Sequence, residues 1–447
     1  MRWQDRYRDK LVTPKQAAGL VKSGQRIVVS LAQKPRQVLL ELANRAGELR
    51  EVELLSHWNE DYPWLHPGME DSFDVKVAFI LTPSRQGVRE KRLDWVPIIF
   101  GLYNNDRNRD PNRLTPYQHA DIFMLSLTPP NARGYCSFGL GPWYSPTSLR
   151  TAGTVIAQID SGLPWTCGES VHISEIDYLV EAPPSAPDAP PTVLPIPDPA
   201  EFEQAQVIGA LAAGLVRDGD TIQVGTGTPS EAVVDFLGDK NELGVYSEII
   251  YRQIVELMAN GVIAGARRNG RRRKATTACL WLYPNDPAAR EVIEFVDHNR
   301  QLEFRDVSYL CQIPRIAANH SMVTINTILA VDLQGQAVID HIGPIPISGP
   351  GGQVEFTIGA HYSPGGRSIT CLLSTARGGN VSRIVPQLET GTVVQLPMTY
   401  IDYLVTENGV VNLEGKSRRE RAEAVISVAH PDFQPDLRRA AQRLFWP

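Results

Sequence analysis

The chain has 447 residues, 43% of them hydrophobic and 21% charged, which suits a globular protein with two or three domains, each burying its own core. A formal net charge of -6 argues against nucleic acid as the main partner, because phosphate binding wants a basic surface. No apolar run reaches the roughly 18–20 residues of a membrane span, and the charged start Met1–Arg6 leads into no apolar signal core, so a cytoplasmic protein without membrane attachment is expected.

The five cysteines (Cys136, Cys167, Cys279, Cys311 and Cys371) are scattered and odd in number, without C-x-x-C spacing, as expected of reduced thiols. The nine histidines form no H-x-x-x-H or H-E-x-x-H pattern, so no metal is expected.

In chain order, apolar spacing predicts a helix over 16–22 that stops at Gly24, a strand over 26–31 and a second helix over 37–43. The pentapeptide Ile176-Asp177-Tyr178-Leu179-Val180 follows, and then a proline-dense stretch over 183–200 that reads as an extended linker. Beyond it the order repeats: helix 206–216, Gly219, strand 221–224, loop 225–229, helix 231–237. The echo extends to the residues. Ala17-Ala18-Gly19-Leu20-Val21 answers Ala212-Ala213-Gly214-Leu215-Val216, and Ile401-Asp402-Tyr403-Leu404-Val405 repeats the pentapeptide. One echo near the start of each half and one near its end imply a domain-sized internal duplication. The expected domains are 1–182 and 201–447, joined by the linker 183–200. Strands alternating with helices imply parallel α/β sheets, whose ligands bind at the carboxyl ends of strands.

The copies differ where chemistry is expected. After the second unit's first strand comes Gly225-Thr226-Gly227-Thr228-Pro229, whereas the first unit has Leu31-Ala32-Gln33-Lys34-Pro35. Two glycines let a backbone approach a ligand, although a plain tight turn reads the same way. The strand predicted over 243–250 carries Glu248 at its end, aligned with His57 of the first unit. A carboxylate in apolar surroundings is costly unless paired, hydrogen-bonded or functional, while a surface strand terminus tolerates one freely. The basic run 267–274 reads as a phosphate contact or a solvated loop. The segment Ser348-Gly349-Pro350-Gly351-Gly352-Gln353, expected to precede a strand, suits either an oxyanion-binding loop or a hairpin turn. Tyr251, Trp58, Trp64 and Trp143 fit an acyl pocket or simple core.

Gly225–Thr228, Tyr246-Ser247-Glu248, Met322–Asn326, Gly351-Gly352-Gln353, Ser382–Val385 and Val405–Gly409 together resemble the acetyl-CoA hydrolase/transferase family, with 4-hydroxybutyrate CoA-transferase among its close members. The likeness spans nearly the whole chain and is stronger in the second half. It implies two similar open α/β domains of the CoA-transferase and ribose-5-phosphate isomerase-like type. The implied activity is transfer of CoA from an acyl-CoA to a small carboxylic acid through a glutamyl-CoA thioester, with acyl-CoA hydrolysis or an acyl-CoA-binding paralogue as alternatives. The resemblance makes Glu248 the nucleophile, with Gly351 and Gly352 stabilising oxyanions. Gly225, Thr226, Gly227, Thr228, Gln312, Asn326, Gln353 and Arg377 fall on positions that contact CoA or the reacting carbonyl. Coenzyme A enters as substrate, with no permanently bound cofactor, and a homo-oligomer, a dimer, is the expected assembly. A glutamate is ordinarily ionised at neutral pH, so no separate base is expected. Four departures from the family pattern stand out: the bulky segment 249–253 after the glutamate, Pro350 in the glycine loop, Arg377 for lysine and Gln312 for asparagine.

Overall fold

The computed structural model describes residues 3–102, 119–183, 199–265, 267–268, 271–272, 274–282 and 286–447. The prolines of 184–198, and Asn269, Gly270 and Arg273 of the basic run, lie outside the described residues. The chain forms two compact units. The first holds residues 1–195, 250–255 and 276–310, and the second holds 196–249, 256–275 and 311–447.

In the first unit α1 (Pro14–Gly19) starts earlier than its apolar spacing suggests. Thr13 and Gln16 form a reciprocal capping box, and Pro14 occupies the first turn, where its missing N–H costs nothing. A wholly parallel sheet follows, built from β1 (Arg26–Val29), β2 (Val52–Ser56), β3 (Phe73–Val77), β4 (Asp94–Trp95), β5 (Ile122–Leu127), β6 (Thr154–Ile159) and β7 (Tyr178–Glu181). Their order is β4-β3-β2-β1-β5-β6-β7. Helix α2 (Arg36–Ala43) buries Val38, Leu39 and Leu42 against this sheet. Trp58 and Trp64 belong to the same core, where they pack edge-on to one another at 5.4 Å; Tyr62 stacks on Trp64 at 5.2 Å.

The second unit opens with α3 (Pro199–Ala213) and continues with β8 (Thr221–Val224), α4 (Thr228–Glu231), β9 (Gly244–Tyr251), β10 (Met322–Thr327), α5 (Gln353–Tyr362), β11 (Arg367–Cys371), β12 (Tyr403–Thr406) and β13 (Gly409–Asn412). Its strands lie in the order β9-β8-β10-β11-β12-β13, parallel except for the closing β12–β13 hairpin. Helices α6 (Arg418–Ser427) and α7 (Gln434–Phe445) cover the β12 end of the core with Val425, Ile426, Leu437 and Phe445.

The duplication is visible in strand order, since β2-β1-β5-β6-β7 and β9-β8-β10-β11-β12 have the same connectivity. It is visible in single hydrogen bonds as well. The Asp177 carboxylate accepts the Val155 N–H at 2.8 Å, and Asp402 accepts the Ser368 N–H at 2.8 Å. The aspartate of each pentapeptide thus caps the neighbouring strand in the same way. Ser56 donates to the Val29 carbonyl at 3.0 Å, as Ser247 does to that of Val224 at 3.4 Å. Gly24 and Gly219 both take positive φ (76° and 77°) where the chain turns into its first strand, a conformation that costs a side-chain-bearing residue dearly.

Two expectations need correction. The helix expected over 231–237 is a single α turn followed by a 3₁₀ segment, Ala232–Phe236. The β-branched pair Val233-Val234 resists continuation as an α-helix. The glycine loop at 348–352 leads into helix α5, not into a strand. Val354, Phe356 and Ile358 alternate as in a strand, but the buried residues are Gln353, Glu355, Phe356, Thr357, Gly359 and Ala360, which follow helical spacing and include polar members.

Candidate active site

Glu248 lies within β9, three residues before its end, so the strand runs further than the sequence suggests. Its neighbours Tyr246, Ser247, Ile249 and Ile250 are buried, while Glu248 itself keeps partial exposure. The register explains the pairing with His57. Gly244 stands opposite Thr221 as Glu53 stands opposite Arg26, so counting four residues along each strand reaches Glu248 in one unit and His57 in the other. Burial drives the two groups towards neutrality in opposite senses. His57, surrounded by Phe79, Phe100, Trp143 and Tyr144, is pushed down to about 3 by desolvation, with the Lys34 charge adding to the effect. Glu248 is pushed up to about 8, first by desolvation and then by the charge of Glu355; a backbone hydrogen bond from Gly352 opposes both.

That hydrogen bond is the central geometric fact of the site. The Gly352 N–H donates to Glu248 Oε2 at 2.7 Å. A Cβ on Gly352 would lie 2.4 Å from the same oxygen and 3.0 Å from Cys311 Sγ, so only glycine fits. Gly351 has φ +56° and turns the chain into this approach. Because the donor is Gly352, Pro350 withholds no hydrogen bond from the carboxylate. Gln353 begins α5, and its buried Nε2 has no acceptor among the described residues. Glu355, in the first turn of α5, is also buried. The raised pKa corrects the expectation that Glu248 is ionised unaided at neutral pH: the carboxyl is largely protonated there.

The loop after β8 is held by its own protein. The Gly225 N–H donates to the Ile325 carbonyl at 2.8 Å, Gly227 N–H to Glu231 Oε1 at 2.9 Å, and Ser230 N–H to Thr327 Oγ1 at 3.2 Å. A Cβ on Gly225 would lie 2.2 Å from Asn326 Oδ1, and one on Gly227 2.8 Å from Thr327 Oγ1. Both glycines are therefore required for packing against β10. Thr226 and Thr228 flank Gly227 at the start of the four-residue α4, which is too short to carry much of a dipole. Asn326 exchanges paired amide hydrogen bonds with Gln223, each 2.9 Å.

Two further candidates are held by local contacts of their own. Gln312 caps the short helix Ile313–Ala317 and accepts from Arg315 Nε at 3.0 Å. Arg377 lies exposed in the turn of the Thr375–Ala376 and Val381–Ser382 hairpin, at φ +53°. Glu355 was missed in the sequence because a glutamate one helical turn beyond a glycine loop looks like a surface residue. Its only signal was the apolar company of Val354 and Phe356. No group of three or more His, Cys, Asp or Glu able to hold a metal occurs among the described residues. No helix among them is long and apolar enough to cross a membrane.

Comparison with known proteins supplies the family. Residues 1–187 match the acetyl-CoA hydrolase/transferase N-terminal domain and residues 289–441 the corresponding C-terminal domain. The chain is 34% identical to 4-hydroxybutyrate coenzyme A transferase of Clostridium kluyveri, covering 100% of both chains. It is 32% identical to succinyl-CoA:cyclohexane-1-carboxylate CoA transferase of Geobacter metallireducens, covering 99% of this chain and 97% of the other. Its fold matches the crystal structure of RipA from Yersinia pestis with a TM-score of 0.85 and 29% identity over 99% of each chain. Two α/β halves of shared topology, matched end to end by these relatives, make the chain an enzyme that belongs to the acetyl-CoA hydrolase/transferase family.

Proposed function

We propose that the protein is a CoA-transferase that passes CoA from an acyl-CoA to a small carboxylic acid through a covalent thioester on Glu248. The observation that carries this reading is the part-buried Glu248 carboxyl held by the Gly352 N–H at 2.7 Å. The relatives named as CoA transferases support the overall reaction.

The steps follow from the chemistry of the groups. Ionised Glu248 attacks the thioester carbonyl; its C–S bond breaks, leaving a mixed anhydride and CoA thiolate. The thiolate adds to the glutamyl carbonyl, the anhydride C–O bond breaks, and the first acid leaves as its carboxylate. A second carboxylate then reverses both steps, ending as a new acyl-CoA with Glu248 regenerated. In the two thiolate–glutamyl steps, negative charge develops on a Glu248 oxygen, which is where the Gly352 N–H already points. Gln353, next in the chain, carries a buried Nε2 with no acceptor among the described residues. One such donor is typically worth about 3–4 kcal/mol in the transition state.

The raised pKa has two consequences. At pH 7 only about one Glu248 in ten is ionised, for a pKa of about 8, but the ionised form is the more basic and hence the stronger nucleophile. CoA contact by Gly225–Thr228, Asn326, Gln312 and Arg377 is supported by their match to the family pattern, and for the loop also by its position at the carboxyl end of β8.

A single-turnover experiment tests the reaction class. Protein is mixed with stoichiometric acyl-CoA and then with an excess of a second acid. A transferase yields a new acyl-CoA; a hydrolase yields free CoA whether or not the acid is added. An unchanged acyl-CoA across a broad panel would rule out both and leave a binding protein.

A further inference from the structure

The Gly352 N–H reaches Glu248 from the end of the short loop 348–352, so its aim depends on what holds that loop. At one end the loop runs into α5. At the other it leaves a hairpin in which His341 pairs with Pro346 and Ile342 with Ile345. The tip of this hairpin is no anchor, since Ile342 is 63% exposed and Ile345 52%. Its base is closed by the Ile347 N–H, which donates to the Asp340 carbonyl at 2.8 Å. The start of the glycine loop is thus tied directly to Asp340.

The Asp340 side chain is itself fully buried. Its Oδ1 accepts a hydrogen bond from Gln395 Nε2 and lies 2.6 Å from His341 Nδ1, which is 3.0 Å from the same Nε2. Gln395 Oε1 accepts the Ile339 N–H at 2.9 Å, so one side chain from a distant stretch grips two successive residues. Oδ2 of Asp340 is buried as well, with no hydrogen-bond partner among the described residues. Burial pushes the Asp340 carboxyl above its ordinary range, with the hydrogen bond to His341 opposing it. A carboxyl group kept in the interior with one oxygen unmet is costly. Leucine would fill that space without the cost, but it could not hold the hairpin.

We infer that Asp340 is a positioning residue for CoA transfer: by anchoring the base of the 341–346 hairpin it fixes the start of the glycine loop, and so the direction in which Gly352 presents its N–H to Glu248. The inference rests on the CoA-transferase reading above, and every group in it belongs to the second unit. Pro350, whose ring locks its φ, leaves the loop fewer torsions to absorb a displacement arriving from Ile347. A misplacement of about 1 Å at a reacting centre can slow a reaction by about 100-fold.

Steady-state kinetics of Asp340→Leu test the inference, with a thermal melt to check folding. Gln395→Ala is the second variant; its side chain is only half-buried, and it decides the matter where Asp340→Leu fails to fold. Each is expected to lose about tenfold or more in kcat and in kcat/KM together, because the donor acts in the transition state. The acid limb of kcat/KM should move to higher pH, since the Gly352 hydrogen bond holds the Glu248 carboxyl down. Loss of a negative charge alone would move that limb the other way. Asp340→Asn keeps Oδ1 as an acceptor and should remain within about threefold of wild type. Wild-type kcat in the folded variants, a rise in KM alone, or an equal loss in Asp340→Asn overturns the inference. Wild-type protein that forms no CoA adduct on Glu248 would instead sink the transferase reading, whereas adduct formation at the wild-type rate in both variants would sink only this inference.

Discussion

The proposed mechanism asks that the Glu248 carboxyl be desolvated enough to be reactive and still able to ionise. Desolvation and Glu355 hold its pKa near 8, while the Gly352 N–H pulls the other way. We therefore expect kcat/KM for transfer to rise with pH from about 6 and to level off above about 8, since this limb reports the free enzyme. Glu355→Gln removes the second-largest cause and should move that limb to lower pH. A limb unmoved by Glu355→Gln would contradict the assignment. The same shift bears on stability. The unfolded carboxyl ionises near its ordinary value and the folded one near 8, so the contribution of this group is present in acid and lost as pH rises to 8. Gly352→Ala places a methyl 2.4 Å from Oε2, and steady-state assay should show kcat reduced by about 100-fold or more with the fold intact. Glu248 and the glycines around it were legible in sequence because their residue types are costly without a reason. Glu355 was not, because burial of a polar residue on a helix face leaves no apolar signature.

At the scale of elements, the repeated pentapeptide proves to be a strand with its cap attached. Leu179 and Val180 fill the core as Leu404 and Val405 do, and the aspartate accepts the N–H of the second residue of the adjacent strand. Asp402→Ala would leave the buried Ser368 N–H without its carboxylate acceptor. Chemical denaturation should show a loss of about 1–3 kcal/mol, and Asp177→Ala a similar loss at its more exposed counterpart. Strand positions were read well because β8 and its relatives are short apolar runs bounded by glycine. Helix α5 was read as a strand because its residues alternate in polarity, and only tertiary packing decides which face turns inward. The glycine loop after β8 illustrates the opposite limit. Its sequence suggested ligand contact, but its geometry accounts for both glycines through Asn326 and Thr327 alone.

Across the whole molecule, one domain-sized repeat has given two sheets of the same connectivity with different residues at matching positions. Where the second unit has Glu248, the first has a neutral histidine; where the second has a glycine loop, the first has Gln33 and a buried lysine. The second unit also ties the connection between α3 and β8 to β11 through a buried ion pair, in which Arg367 bonds Asp220 and donates to the Leu215 carbonyl at 2.7 Å. Arg367→Met leaves Asp220 buried beside an uncharged chain and should lower unfolding free energy by about 3–5 kcal/mol, read as an earlier denaturation midpoint. The most direct test of the account as a whole is mass spectrometry of the peptide containing Glu248 after incubation with an acyl-CoA. We expect CoA attached to that peptide in the wild-type protein, absent in Glu248→Ala, and discharged to a new acyl-CoA when a second acid is added. Turnover with no CoA on that peptide, or an adduct that persists in Glu248→Ala, would contradict it.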